Sequence, residues 1–345
     1  MNIKAFLNTL SDKVRTLPIV ILYVTEGCNL KCLTCSYRNA LPGELSLEEI
    51  KKLAGELAGF GLKHIVYSGG EPLLRRDFNE ICDVFKSYGV KQTILTNGLL
   101  LEKKLDGVKD YFHEIIVSLD GANPEMHNSI RGLNSFGLIL KGIEKAVNQK
   151  EGNREVSIRS VLQKQNFREL PDFIKMAKSL NVNRISFLAA DVTSDAFGRE
   201  HGNGAAIQNS AIVPDKNDTA EFRQIINKLA DEYKDEFAKG FISESPAKLL
   251  KIAEYYEALN GLNKFPVTYC NAPMMSTVIT STGFVHPCYF LPAIGNIRNN
   301  SVKELINFSD AKETRRKVRS FEMERCKTCV CTLNINAKAA LAGKF

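Results

Sequence analysis

Six short apolar runs, rich in β-branched residues, recur along the first 190 residues and alternate with stretches of helical periodicity. The runs are Pro18–Val24, His64–Ser68, Gln92–Thr96, Glu114–Leu119, Val156–Leu162 and Arg184–Leu188. Their length and composition predict buried strands. The intervening stretches carry helix start signals. Ser46 and Glu49 have the spacing of a capping box, and Asn123-Pro124 offers a cap followed by proline at the first helical position. Strand–helix–strand alternation predicts βαβ units and a parallel sheet, which right-handed crossovers curl toward a barrel. Six strands fall short of the eight that a closed barrel needs. The expected fold is therefore α/β, a partial (β/α)6 TIM-like barrel over residues 1–215. A helical connection over 216–262 and a small C-terminal domain over 263–345 follow.

At Asp191 the alternation stops. Residues 191–218 are polar, contain glycine, and run longer than an idle connection usually does, which suits either a functional lid or disorder. Two helical stretches, Ala220–Phe237 and Pro246–Leu259, come next. Asp191, Asp195 and Arg199 leave the last strand on the side where such barrels place their sites. They either orient a substrate hydroxyl or carboxylate or are solvated loop residues.

Composition adds limits rather than direction. Hydrophobic residues make up 44% of the 345 and charged residues 25%, an ordinary globular balance. Nothing near Met1 reads as a signal peptide, and the apolar run Leu17–Val24 is too short to span a bilayer. The expectation is a cytoplasmic protein without a membrane partner. In that compartment nine cysteines are metal ligands or core residues rather than disulfides. The net charge of +7 is modest, and its densest stretch, Lys312–Arg319, reads as a solvated helix face. No nucleic-acid-binding module accompanies the charge, so nucleic acid is not an expected partner.

The chemistry concentrates directly after the first strand. Cys28, Cys32 and Cys35 form C-x3-C-x2-C within one loop. Four thiolates in paired CxxC units would suggest a closed zinc site, whereas three leave a coordination position open, as catalytic metals require. On a cubane iron–sulfur cluster three thiolates would hold three irons and leave the fourth free. Three further motifs end the next strands: Ser68-Gly69-Gly70-Glu71-Pro72, Thr96-Asn97-Gly98, and Ser118-Leu119-Asp120-Gly121, the last followed by Arg131. Parallel α/β barrels build their sites at these strand ends.

Together the motifs resemble the signature of the radical S-adenosylmethionine (SAM) superfamily. The resemblance implies a [4Fe–4S] cluster on Cys28, Cys32 and Cys35, whose open iron is chelated by the amino and carboxylate groups of SAM. One electron then cleaves a carbon–sulfur bond and yields a 5′-deoxyadenosyl radical, chemistry that belongs to the cofactor. It further implies that Gly69, Gly70 and Glu71 meet the methionine amino group and Arg131 the SAM carboxylate. Asn97 and Ser118 complete the cofactor contacts, and a one-electron donor such as flavodoxin or ferredoxin is a partner. Many members carry an aromatic residue where this chain has Thr34, so the adenine contact passes to Tyr37 or to Val161-Leu162.

A second group, Cys270, Cys288, Cys326, Cys329 and Cys331, includes Gly283 five residues before Cys288. It resembles the SPASM and twitch extensions, which implies an auxiliary [4Fe–4S] cluster on Cys270, Cys288, Cys326 and Cys329. Two distant cysteines plus a CxxC also describe a four-cysteine zinc site. Cys331 is left to replace Cys329, to donate a hydrogen atom, or to be buried, and burial is the expectation. Cys82 has the apolar helical spacing of a core residue, and His286 is read as structural.

Related enzymes mature ribosomal peptides, oxidise sugar alcohols and modify tetrapyrrole side chains. With no peptide-recognition region before the first strand, the expected substrate is a small organic molecule or a tetrapyrrole intermediate, and the expected reaction an oxidation. The alternatives are a peptide-maturing or RNA-modifying radical enzyme, and a non-catalytic iron–sulfur or metal carrier.

Overall fold

The computed structural model describes residues 2–199, 211–343 and 345. All six expected strands form: β1 (Ile19–Thr25), β2 (His64–Gly69), β3 (Lys91–Thr96), β4 (Glu114–Ser118), β5 (Glu155–Leu162) and β6 (Arg184–Ala189). Each pairs in parallel with the next, in sequence order. Helices cross over between them. The first, Leu47–Gly59, starts at the Ser46–Glu49 capping box, with both reciprocal hydrogen bonds formed. The helix Pro124–Arg131 starts at Asn123, whose side chain accepts from Met126 N–H.

The sheet has one helix-covered face and one inward face. Ile50, Leu53 and Leu57 of the first crossover helix and Ile81 and Phe85 of the next are fully or almost fully buried against the strands. Side chains alternate along each strand, so Ile21, Val66, Leu95, Ile116 and Arg159 project to the opposite side, into the bore of the half-barrel, where they line one cavity. The inward face is apolar but for a few positions, and those define the site.

The sheet is wider than the six-strand reading. β7 (Ser276–Ile279) adds parallel to β1, and β8 (Phe284–His286) and β9 (Gly295–Asn296) continue antiparallel, giving nine strands in the order β6-β5-β4-β3-β2-β1-β7-β8-β9. Part of the C-terminal region is thus built onto the barrel sheet. The helix read as Ala220–Phe237 is two, Lys216–Glu232 and Lys234–Ala238, and starts earlier because Asp215 caps it. In the basic stretch, Arg315 is buried rather than solvated, its Nε donating to Asp12 O at 2.6 Å. Of the expected lid, residues 200–210 lie outside the described residues. Among the described residues no helix is long and apolar enough to cross a membrane.

Candidate active site

The cysteine loop is held on several sides by backbone. Cys28 N–H donates to Arg38 O at 3.0 Å, Lys31 N–H to Arg131 O at 3.2 Å, Leu33 N–H to Ile130 O at 3.0 Å, and Ser36 N–H to Phe197 O at 2.9 Å. Its base is stapled by Glu44, whose carboxylate accepts from Thr25 Oγ1, Glu26 N–H and Leu41 N–H. The three thiols are free and half-buried. Burial pushes the Cys35 thiol up to about 11, with the neighbouring cysteines adding to the rise. Burial, then Glu71 and Cys32, also raises Cys28. A cation arriving between Cys28 and Cys35 would compensate their thiolates and favour ionisation.

The turn after β2 packs directly on this loop. Gly70 N–H donates to Thr25 O and Glu71 N–H to Gly27 O, each at 2.8 Å. A Cβ on Gly69 would collide with Thr25 O, and one on Gly70 with Gly27 O; Gly69 also has φ +110°. Glycine is required here for close approach of two protein backbones, where the sequence suggested approach to a ligand. Glu71 is fully buried. Its carboxylate accepts from Leu73 N–H at 3.1 Å, Thr96 Oγ1 at 2.8 Å and Asn97 N–H at 2.7 Å, tying β2 to β3. In this structure that carboxylate faces the chain and not open space.

The next two strand ends reach the thiols themselves. Asn97 Nδ2 lies 3.8 Å from Cys28 Sγ and donates to Asn29 Oδ1 at 2.7 Å. Arg131, in the last turn of its helix, sets Nη1 3.8 Å from Cys32 Sγ and Nη2 2.7 Å from Asp120 Oδ2. Gly132, at φ +72°, ends that helix where a Cβ would strike Lys31 O. The Asp120 carboxylate also accepts from Val161 N–H at 2.8 Å, linking β4 and β5. Among the described residues Arg131 Nε is buried and finds no partner, so an anion beside Cys32 would find a donor waiting. Ser118 is partly buried at the end of β4.

Tyr37 is buried in an aromatic cluster against Cys28 and Cys35, 6.0 Å from the Tyr23 ring and edge-on to it. A smaller cavity of about 240 Å³ opens beside it. Thr34, Cys35, Ser68, Arg159, Val161, Tyr289 and Cys331 are on its walls.

The C-terminal cysteines converge in the lower bore. Cys270, Cys288, Cys326, Cys329 and Cys331 all line one cavity of about 380 Å³, whose far wall is the inward face of β1–β5. Burial pushes Cys288 up to about 12, with Cys270 and Cys326 contributing. The Cys329 thiol donates to Cys331 O at 3.0 Å. Cys331, expected to be buried, is half-buried and lines both cavities. Cys82 is fully buried in the core, as expected, and His286 Nδ1 lies 2.9 Å from Leu291 O.

A family model described as the radical SAM superfamily matches residues 22–177, and one described as the SPASM iron–sulfur cluster-binding domain matches residues 270–330. The chain carries a radical SAM domain followed by a SPASM domain. Among curated relatives it is 31% identical to Fe-coproporphyrin III synthase of Methanosarcina barkeri over 68% of this chain and 55% of that protein. It is 34% identical to GTP 3′,8-cyclase of Vibrio parahaemolyticus over 56% of this chain and 60% of that one. It is also 27% identical to AdoMet-dependent heme synthase of M. barkeri over 89% and 86% respectively. The chain thus spans between half and two thirds of the first two. Its fold matches that of Streptococcus suis SuiB solved with SAM, with a TM-score of 0.63 at 15% identity over 94% of this chain and 75% of SuiB.

A radical SAM protein with a SPASM domain takes a [4Fe–4S] cluster, SAM and a further iron–sulfur cluster. By their chemistry the residues of this chain suit such groups, although among the described residues no three cysteine, histidine or carboxylate side chains stand together as metal ligands. Three thiols adjoin an orphaned guanidinium N–H at the upper site, and five thiols line one chamber at the lower. Several groups around them escaped sequence reading. Asp120 sits within a quoted motif, yet only the fold shows it holding Arg131. Asn29 and the Phe197 carbonyl carry no sequence signal at all. Asp191, expected either to orient a substrate or to be a solvated loop residue, is not solvated and lies on the wall of the smaller cavity. Its side chain is 1% exposed, and its two oxygens bind Arg325 and Arg199.

Proposed function

We propose that this protein is a radical SAM enzyme that activates a small organic substrate inside the half-barrel bore, between two iron–sulfur centres. The observation that carries the reading is the position of the bore cavities, with Cys35 on the wall of one, the C-terminal cysteines around the other, and Cys331 on both. When bound, the cluster and SAM supply one-electron reductive cleavage and a 5′-deoxyadenosyl radical for hydrogen abstraction. Cys28, Cys32 and Cys35 would hold the first cluster. Arg131 would receive the SAM carboxylate through its free Nε–H, a charge-assisted bond, while Asp120 keeps the guanidinium in place. The backbone of Gly69–Glu71, together with Asn97 and Ser118, would border the cofactor at the neighbouring strand ends, and Tyr37 would flank it on the cysteine side. Cys270, Cys288, Cys326 and Cys329 would hold the second centre. The apolar walls exclude water from a reactive intermediate.

An oxidation of a small molecule or tetrapyrrole intermediate is the favoured reaction. Support comes from the two M. barkeri relatives, whose names carry coproporphyrin and heme, and from a second centre beside the chamber able to accept an electron. The SPASM match favours iron over zinc at that centre.

Iron, sulfide and zinc content after anaerobic reconstitution tests the reading, with the Cys28→Ala/Cys32→Ala/Cys35→Ala variant alongside. About eight irons per chain, falling to about four in the variant with loss of 5′-deoxyadenosine formation, is expected. About four falling to near zero, with one zinc retained, would remove the second cluster and its electron-accepting role. Undiminished SAM cleavage in the variant would overturn the assignment of the upper site.

A further inference from the structure

Arg159 is an inward-facing residue of β5 whose chemistry the reading above does not use. Its Cα pairs with Ser118 on one side and Ser186 on the other, so it projects into the bore at the level of the β4 motif. Its Nε donates to Ser186 Oγ at 3.1 Å, and the guanidinium lies on the walls of both cavities. Around it the chamber is mainly apolar, with Leu95, Val161, Leu188, Phe290 and Val330 on its walls beside the hydroxyls of Thr34, Ser68 and Tyr289.

The other charges facing this space are already paired. Asp191 holds Arg199 and Arg325, and at the bore floor Glu114 accepts from Arg184 at 2.9 Å. Among the described residues Arg159 forms no ion pair. The Glu244 carboxylate feels the Arg159 charge but accepts from Phe187 N–H at 2.7 Å and lies 3.8 Å from Lys248. A guanidinium in a mainly apolar chamber with no ion pair of its own is costly to hold, and the fold leaves this one open to whatever enters.

We infer that Arg159 anchors a carboxylate carried by an otherwise apolar substrate, and so sets which end of that substrate faces Cys35. This rests on the bore being the substrate chamber, as proposed above. The planar fork of arginine matches a carboxylate in two parallel bonds. A phosphate would call for a second cation; the smaller cavity's other donors include the hydroxyls of Thr34, Ser68 and Tyr289, and Arg325 is held by Asp191. The ligand class is thus an apolar body with at least one carboxylate.

The test uses the reconstituted full chain with SAM and two fluorescent probes, 1-pyrenebutyrate and its uncharged methyl ester. The wild type should bind the acid at least about tenfold more tightly than the ester, the difference a hydrogen-bonded charge makes. Arg159→Met should abolish that preference by weakening the acid alone, and Arg159→Lys should restore part of it. SAM affinity and iron content should not change in Arg159→Met. Equal binding of acid and ester by the wild type would overturn the inference without recourse to any variant. Loss of SAM affinity in Arg159→Met would assign the arginine to the cofactor, and loss of iron would assign it to the charge of the second cluster; either result overturns it. Failure of the wild type to cleave SAM would instead defeat the proposed function, which the probe preference does not measure.

Discussion

Asp191 Oδ1 accepts a hydrogen bond of 2.7 Å from Arg325 Nη2, joining the end of β6 to the residue beside Cys326. The same carboxylate binds Arg199, whose segment carries the Phe197 carbonyl that fixes Ser36 next to Cys35. One buried carboxylate thus spans the gap between the two cysteine groups. Burial alone would raise its pKa, but the Ser194 hydroxyl, Arg325 and Arg199 outweigh this and hold it below the usual range.

Asp191→Ala should therefore be severe, since it leaves two arginines largely buried without their counter-charge. A loss of roughly 3 kcal/mol in urea unfolding is expected, the lower end for breaking a buried pair. Iron retention at the C-terminal cysteines should fall with it. A change under about 0.5 kcal/mol, as at ordinary surface sites, would mean that the network is dispensable.

Arg131→Met removes both the partner of Asp120 and the donor beside Cys32. SAM affinity should drop by at least about tenfold, the scale of a lost charge-assisted bond. Asp120→Asn separates the two effects, because it leaves the guanidinium intact but less firmly placed, and should give a smaller loss. Equilibrium dialysis of SAM against the three proteins checks the order. Equal affinity in wild type and Arg131→Met would remove Arg131 from the cofactor site.

Glu49 provides a pH-dependent clamp between the first crossover helix and the C-terminal region. Arg298 first, then the Ser46 N–H, lowers its carboxyl from 4.5 to about 2. A depressed carboxyl stabilises the fold above its unfolded pKa, and that contribution is lost as pH falls from 4.5 toward 2. Both side chains are about a third exposed, so screening reduces the effect to about 1 kcal/mol or less. Glu49→Gln should be less stable than wild type at pH 7, and the difference should shrink at pH 3. Thermal unfolding at the two pH values decides; a gap that widens on acidification would contradict the clamp.

Much of this protein was legible from its sequence because the signals are local. Strand and helix periods, the Ser46–Glu49 cap and the C-x3-C-x2-C loop each reside in a few consecutive residues, whose spacing already expresses their geometry. The strand-end motifs were legible for the same reason, since a βα turn is short and its glycines have few conformational substitutes. Even so, a further reason for Gly69 and Gly70 carried no local signal, because the backbone they approach belongs to a loop about forty residues earlier.

Relations between distant segments depend on register, and only the fold decides those. No local pattern in Ser276–Ile279 reveals that it would pair with β1, since an edge strand is defined by the neighbour it finds. Asp191 and Arg325 are 134 residues apart, and either alone reads as a solvated charge. Arg159 faces the bore because strand pairing fixes which alternate side chains point inward; a shift of one residue would turn it out toward the helices. Cys331 likewise reads as an extra cysteine in sequence and becomes a wall of both cavities in space. The sequence determined the fold class, the family and the thiols. Which charges were neutralised, and which one was left facing the chamber, was settled only when β4, β5 and β6 came into register around it.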